Sequence, residues 1–99
     1  MVKTIGVLGA GIMGAGIAQV AAQAGYSVIL RDLTDEFISR GTSSIAKNLN
    51  REVQKTRLTE EEAKAVLDRI RGTTALSDLA EADFIIEAVI EQMELKKEV

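Results

Sequence analysis

The 99-residue chain contains no cysteine, no proline, no tryptophan and no histidine. Without cysteine, disulfides and thiolate chemistry are excluded. Without histidine, the commonest general base, the commonest metal ligand and any Ser-His triad are excluded as well. No metal site is expected. The net charge of −3 offers no electrostatic reason to expect a nucleic acid as partner. The amino terminus has one lysine and no long apolar run, so it does not read as a signal peptide. No stretch approaches the roughly 20 apolar residues of a membrane span. The expectation from these absences is a cytoplasmic protein without membrane contact.

Apolar residues make up 46% of the chain and charged residues 27%, the balance of an ordinary globular domain. No linker, repeat or low-complexity tract divides it. "TIGVLG" (4–9) is a short apolar run ending in glycine and reads as a buried strand. "IMGAGIAQVAAQA" (12–24) reads as a helix, with Gly25 as its C′ residue. "YSVILRD" (26–32) is a second strand, which completes a β-α-β unit within about 30 residues.

The next stretch predicts two helices. Ile38, Ile45, Leu49 and Val53 form a stripe near period four, with Gly41 or Thr42 on the same face, over about 35–56. Thr59 to Glu62 fits a capping box that opens a second helix. Ala63, Val66, Leu67 and Ile70 continue it at helical spacing, and Gly72 reads as its end. "TTAL" (73–76) reads as a third strand, and Ser77 as the N-cap of a single helical turn over 77–82. "DFIIEAVIE" (83–91) reads as a fourth strand, apolar on both faces as in a covered parallel sheet. The expected fold is α/β: the first half of a Rossmann-type parallel sheet, strand order 3-2-1-4, with a helical hairpin between strands 2 and 3.

Five of the eight glycines lie between Gly6 and Gly16. Gly9, Gly11 and Gly14 form G-x-G-x-x-G at the point where the first strand hands over to the first helix. Gly9 permits the tight turn, Gly11 lets a pyrophosphate approach the backbone, and Gly14 lets the helix lie close to the sheet. The first amides of the helix and its dipole then favour phosphate. Asp32 follows Gly9 by 23 residues, at the end of the second strand, where a carboxylate accepts hydrogen bonds from adenosine ribose hydroxyls. The bare glycine pattern is weak evidence. The strand before it, the helix after it and the acid in place make it specific for a dinucleotide. Asp32 argues for NAD over NADP, whose 2′-phosphate it repels. Arg31 has two readings: a solvated strand end, or a guanidinium that welcomes that phosphate.

"GVLGAGIMGAGIAQVAAQAGYSVILRD", "LTEEEAKAVLDRIRGTT" and "DFIIEAVIEQMELKKEV" together closely resemble the amino-terminal segment of the 3-hydroxyacyl-CoA dehydrogenases, including the bacterial 3-hydroxybutyryl-CoA dehydrogenases. The likeness covers essentially the whole chain. It implies that Gly9, Ala10, Gly11, Ile12, Met13 and Gly14 hold the NAD pyrophosphate and Asp32 the adenosine ribose. It implies that Glu91 and Lys96 sit near the nicotinamide half; Lys96 also reads as a solvated helix residue. It gives the helical hairpin a role toward coenzyme A, with Asn48 and Lys55 at positions that touch the CoA nucleotide. A serine is common at the first of these, so Asn48 departs from the pattern. Lys55 belongs to a basic set with Lys47, Arg51 and Arg57, which fits either CoA phosphates or a solvated face.

The resemblance also implies what the 99 residues do not hold. The family's chemistry uses a His–Glu pair with nearby Ser and Asn from later strands and loops, and a helical second domain that closes over substrate and makes most of a dimer interface. "EQMELKKEV" (91–99) reads as a helix still running at its last residue. The expectation is therefore a partial NAD-binding domain over 1–99, a fragment without catalytic residues of its own. Its parent would oxidise an (S)-3-hydroxyacyl-CoA, of short chain, to the 3-ketoacyl-CoA, or run the reverse reaction toward butyrate or butanol. The alternative is a non-catalytic NAD- or CoA-binding module. The expected assembly is a homo-oligomer, and the fragment itself is expected to self-associate through strand 83–90 or the segment after it.

Overall fold

A computed structural model describes residues 3–88. Four parallel strands form one sheet in the order β3-β2-β1-β4: β1 (Thr4–Leu8), β2 (Ser27–Arg31), β3 (Ile70–Thr73) and β4 (Phe84–Glu87). Helix α1 (Ile12–Gln23) connects β1 to β2, and helices α2 (Asp35–Gln54) and α3 (Glu60–Asp68) connect β2 to β3. The expected strand order and the helical hairpin are both present.

The two central strands are apolar because both their faces are covered. Val7, Val28 and Leu30 are wholly or almost wholly buried. Against them lie Ala15, Ala18 and Ala22 of α1, whose small side chains bring that helix close, and Ile45 and Leu49 of α2. The stripe on α2 is the predicted one, with Ile38, Gly41, Ile45 and Leu49 buried and Val53 half-buried. Thr34 caps α2 by accepting from the Phe37 amide. The Thr59–Glu62 capping box is formed in both directions, at 3.0 and 2.9 Å. Each of these caps satisfies first-turn amides that the helix itself leaves without partners.

Four boundaries differ from the sequence expectation. Helix α2 stops at Gln54, with Lys55 as its C-cap and Thr56 in the left-handed region at φ 58°. Helix α3 ends at Asp68, not at Gly72, and β3 occupies 70–73 instead of 73–76. Ile70 extends the helical pattern, yet pairs with Val28 as the first residue of β3. The cause lies at Arg69, whose guanidinium donates to the Ala22 carbonyl at the end of α1, 2.7 Å away. This contact turns the chain into the sheet three residues early. Gly72 is a packing position: a Cβ there would run into the Ile38 side chain. The turn after β3 is a 3-10 helix over Leu76–Glu81 with Ala75, not Ser77, as its N-cap. Thr73 organises it, accepting from the Ala75 amide and donating to Asp78.

The fourth difference is in β4. It spans Phe84–Glu87, and Phe84 and Ile85 are 57% and 48% exposed, so it is not covered on both faces. Among the described residues it pairs with β1 alone. Asp83 anchors its start, accepting from the Lys3 and Thr4 amides at 2.8 and 3.0 Å. Positions 89–91 of the expected strand and the expected helix beyond them lie outside the described residues. Among the described residues no helix is long and apolar enough to cross a membrane.

Candidate functional site

The carboxyl ends of β1 and β2 and the start of α1 enclose an open cavity of about 670 Å³. Gly9, Ala10, Gly11, Ile12, Met13 and Asp32 all line it. Parallel sheets bind ligands at the carboxyl ends of their strands where the strand order changes direction; here that point is β1, between β2 and β4, and Ala88 just past β4 also lines the cavity.

The turn depends on its glycines. Gly9 has φ 110°, a conformation closed to residues with a side chain. A Cβ on Gly14 would run into the Gly9 carbonyl, so the helix can lie on the turn only without one. A Cβ on Gly11 would meet nothing within 4 Å. Gly11 therefore borders empty space, and its missing side chain is not explained by packing. The start of α1 has no side-chain cap and no acidic residue in its first turn. Its first amides have no intrahelical partner, and the dipole adds positive potential at the same end. These residues fit a pyrophosphate: backbone donors, a positive helix end and room for close approach.

Asp32 stands across the turn. One carboxylate oxygen accepts from the Ala10 amide at 2.6 Å, and the other from the Leu33 amide at 2.6 Å. Arg31, beside it, donates through Nε to the Thr74 carbonyl at 3.1 Å, a contact with the end of β3. Five further residues line the cavity that sequence reasoning did not find: Leu8, Leu33, Phe37, Arg40 and Ala88. Leu33 and Phe37 are 70% and 42% exposed. The available signal was that Leu33, next to Asp32, and Phe37 are large apolar residues outside the stripe of Ile38, Ile45 and Leu49.

The structure does not bring Asn48 and Lys55 to this cavity. Both lie in the carboxyl-terminal half of α2 or at its cap; Lys55 is some 27 Å along the helix from Phe37 at about 1.5 Å per residue. Asn48 is half-buried, donates to Gln19 of α1 at 3.4 Å and accepts from Arg51 at 3.3 Å. Lys55 is exposed. Of the basic set, Arg57 pairs with Glu52 at 3.5 Å. Glu91 and Lys96 lie outside the described residues. Among the described residues no group of His, Cys, Asp or Glu could hold a metal ion.

A parallel 3-2-1-4 sheet with a glycine turn and a β2 carboxylate in one crevice defines a dinucleotide-binding domain of Rossmann type. Residues 4–99 match the family described as "3-hydroxyacyl-CoA dehydrogenase, NAD binding domain", and the chain belongs to that family. It is 42% identical over 99 residues to a 3-hydroxybutyryl-CoA dehydrogenase of Bradyrhizobium diazoefficiens, covering all of this chain and 34% of that protein. It is 43% identical over 96 residues to a 3-hydroxyadipyl-CoA dehydrogenase of Escherichia coli, covering 97% of this chain and 20% of that protein. The crystal structure of an (S)-3-hydroxybutyryl-CoA dehydrogenase from Ralstonia eutropha superposes with a TM-score of 0.91 at 40% identity, over 97% of this chain and 34% of that one. The chain thus spans 20–34% of the length of these relatives.

Proposed function

We propose that this chain is the cofactor-holding part of an oxidoreductase that interconverts (S)-3-hydroxyacyl-CoA and 3-ketoacyl-CoA. The substrate is of short chain: 3-hydroxybutyryl-CoA stands in the names of two of the relatives, and its oxidation product is acetoacetyl-CoA. The observation that carries the reading is the meeting of the glycine turn and Asp32 in one cavity. The backbone from Gly9 to Gly14, with Ala10, Ile12 and Met13, binds the NAD pyrophosphate. Asp32 accepts from the adenosine ribose hydroxyls. Glu91 and Lys96 meet the nicotinamide half. NAD, when bound, supplies a nicotinamide C4 that accepts or returns a hydride.

Residues 1–99 position the cofactor and do not move the substrate proton. The general base of this reading is a histidine, which residues 1–99 do not contain, so the chain by itself should turn over no substrate. In this reading it forms part of a cytoplasmic, homo-oligomeric enzyme of butanoate and fatty-acid metabolism. The exposed Phe84 and Ile85 of β4 support burial against further protein.

Lys55 and Asn48 meet the nucleotide end of CoA, well away from the NAD cavity. The separation of about 27 Å supports two independent sites. Titration of the chain with NAD+ and with acetoacetyl-CoA tests this. Each ligand should bind saturably without displacing the other, and Lys55→Glu should weaken acetoacetyl-CoA alone. Failure of both ligands to bind contradicts the reading. Mutual displacement contradicts the two-site arrangement.

A further inference from the structure

One peptide unit in the glycine turn is held from both ends. Its carbonyl, on Gly9, lies so close to α1 that Gly14 cannot carry a Cβ. Its N–H, on Ala10, donates to Asp32 at 2.6 Å. Among the described residues the other bond tying this turn to β2 is backbone to backbone, from the Gly9 amide to the Arg31 carbonyl at 2.8 Å. Gly9 and Gly11 have no side chains with which to hold a conformation. Gly11, next in the chain, is the N-cap of α1 in an extended conformation, without a side-chain cap. Its direction is set by the peptide unit that Asp32 holds.

We infer that Asp32 is the positioning residue of the phosphate-binding turn as well as the acceptor for the adenosine ribose: its carboxylate orients the Gly9–Ala10 peptide so that Gly11 and the first amides of α1 face the pyrophosphate. The inference rests on the NAD reading above. An ionised carboxylate offers about four acceptor positions, so the amides of Ala10 and Leu33 leave capacity for ribose hydroxyls. A bond from an amide to a charged acceptor is also stronger than one between neutral groups. Ribose recognition and turn geometry then share one side chain. A substitution at Asp32 costs affinity for parts of the cofactor it never touches.

An analogue cycle separates the two roles. The ligands are NAD+ and its 2′,3′-dideoxyadenosine analogue, which lacks both adenosine ribose hydroxyls. The proteins are the wild-type chain, Asp32→Ala and Asp32→Asn. Were Asp32 to act through the ribose alone, wild type and Asp32→Ala would bind the analogue equally. The expected result is roughly tenfold weaker analogue binding by Asp32→Ala. Asp32→Asn keeps an acceptor oxygen for Ala10 and should recover most of that loss. A general loss of stability would not produce such a rescue. Equal analogue affinity of wild type and Asp32→Ala overturns the inference. Wild type that binds neither NAD+ nor the analogue overturns the NAD reading, and this inference with it. Should Asp32→Ala not fold, Asp32→Asn decides by nuclear magnetic resonance: the Ala10 amide proton should move upfield as its acceptor loses charge. An unmoved Ala10 resonance overturns the inference.

Discussion

Gly14 and Gly9 are in contact without an intervening side chain: a Cβ built on Gly14 would run into the Gly9 carbonyl oxygen. Helix and turn are therefore one rigid piece, and the space between them has no slack. Gly14→Ala should destabilise the chain by about 1–3 kcal/mol, the usual cost of overpacking, and weaken NAD+ as the turn shifts. Gly16, two residues on, is the control. A Cβ there meets nothing within 4 Å, and Gly16 lies inside α1. Gly16→Ala should stabilise by about 0.5–1 kcal/mol through helix propensity. Chemical denaturation of both variants checks the pair; a Gly14→Ala variant as stable as wild type would remove the packing argument.

Asp83 supplies a pH dependence. The amides of Lys3 and Thr4 hold its carboxyl below the ordinary carboxylate range, with the Lys3 amide the larger cause. A depressed pKa in the folded state means that the carboxylate stabilises the fold at neutral pH. That contribution is present above the unfolded value, about pH 4, and is lost as pH falls through the lower folded value. Asp83→Ala should melt below wild type at pH 7, and the gap should close below about pH 4. A gap that stays constant from pH 7 to pH 3 would show that the charge has no part in joining β1 to β4.

Cofactor choice follows from how the charges beside the cavity are used. In the proposed reading Asp32 presents a carboxylate where NADP would carry its 2′-phosphate. Arg31 and Arg40 line the same cavity, but Arg31 is bonded to the Thr74 carbonyl and Arg40 to Glu36 at 2.8 Å. The chain should bind NAD+ at least tenfold more tightly than NADP+, a difference of about 1.4 kcal/mol, and Arg31→Ala should leave that ratio within a factor of about two. Calorimetry with both cofactors measures it. Equal affinities, or a ratio that changes strongly in Arg31→Ala, would give Arg31 the phosphate-binding role instead.

The strand order, the helical hairpin and the glycine turn were legible because each has a strong local signature. The capping box at Thr59 and the period of Ile38, Ile45 and Leu49 are set by neighbours within a turn or two. The α3–β3 boundary was not legible. Ile70 satisfies the helical pattern as well as the strand, and the choice is made by Arg69 reaching Ala22, 47 residues away in sequence. Gly72 reads as a helix stop by the same local logic, but its reason is Ile38 on another element. In the site, Asp32 was legible from its spacing to Gly9. Its bond to Ala10 was not, since spacing predicts a ligand and is silent on what else the carboxylate holds. Phe37 and Arg40 line the cavity because the first turns of α2 lie beside it, and Leu33 because it follows Asp32 at the end of β2; both are tertiary placements.

The central claim is that the cavity above the glycine turn receives the NAD pyrophosphate. Gly11→Val tests it most directly, because a Cβ at Gly11 meets no protein atom within 4 Å and Gly11 lines the cavity assigned to the ligand. Calorimetric titration with NAD+, with circular dichroism to confirm the fold, should show saturable binding to wild type and none measurable to Gly11→Val, both chains being equally helical. Equal NAD+ affinity in the two folded proteins would contradict the account and leave the glycines with a packing role only.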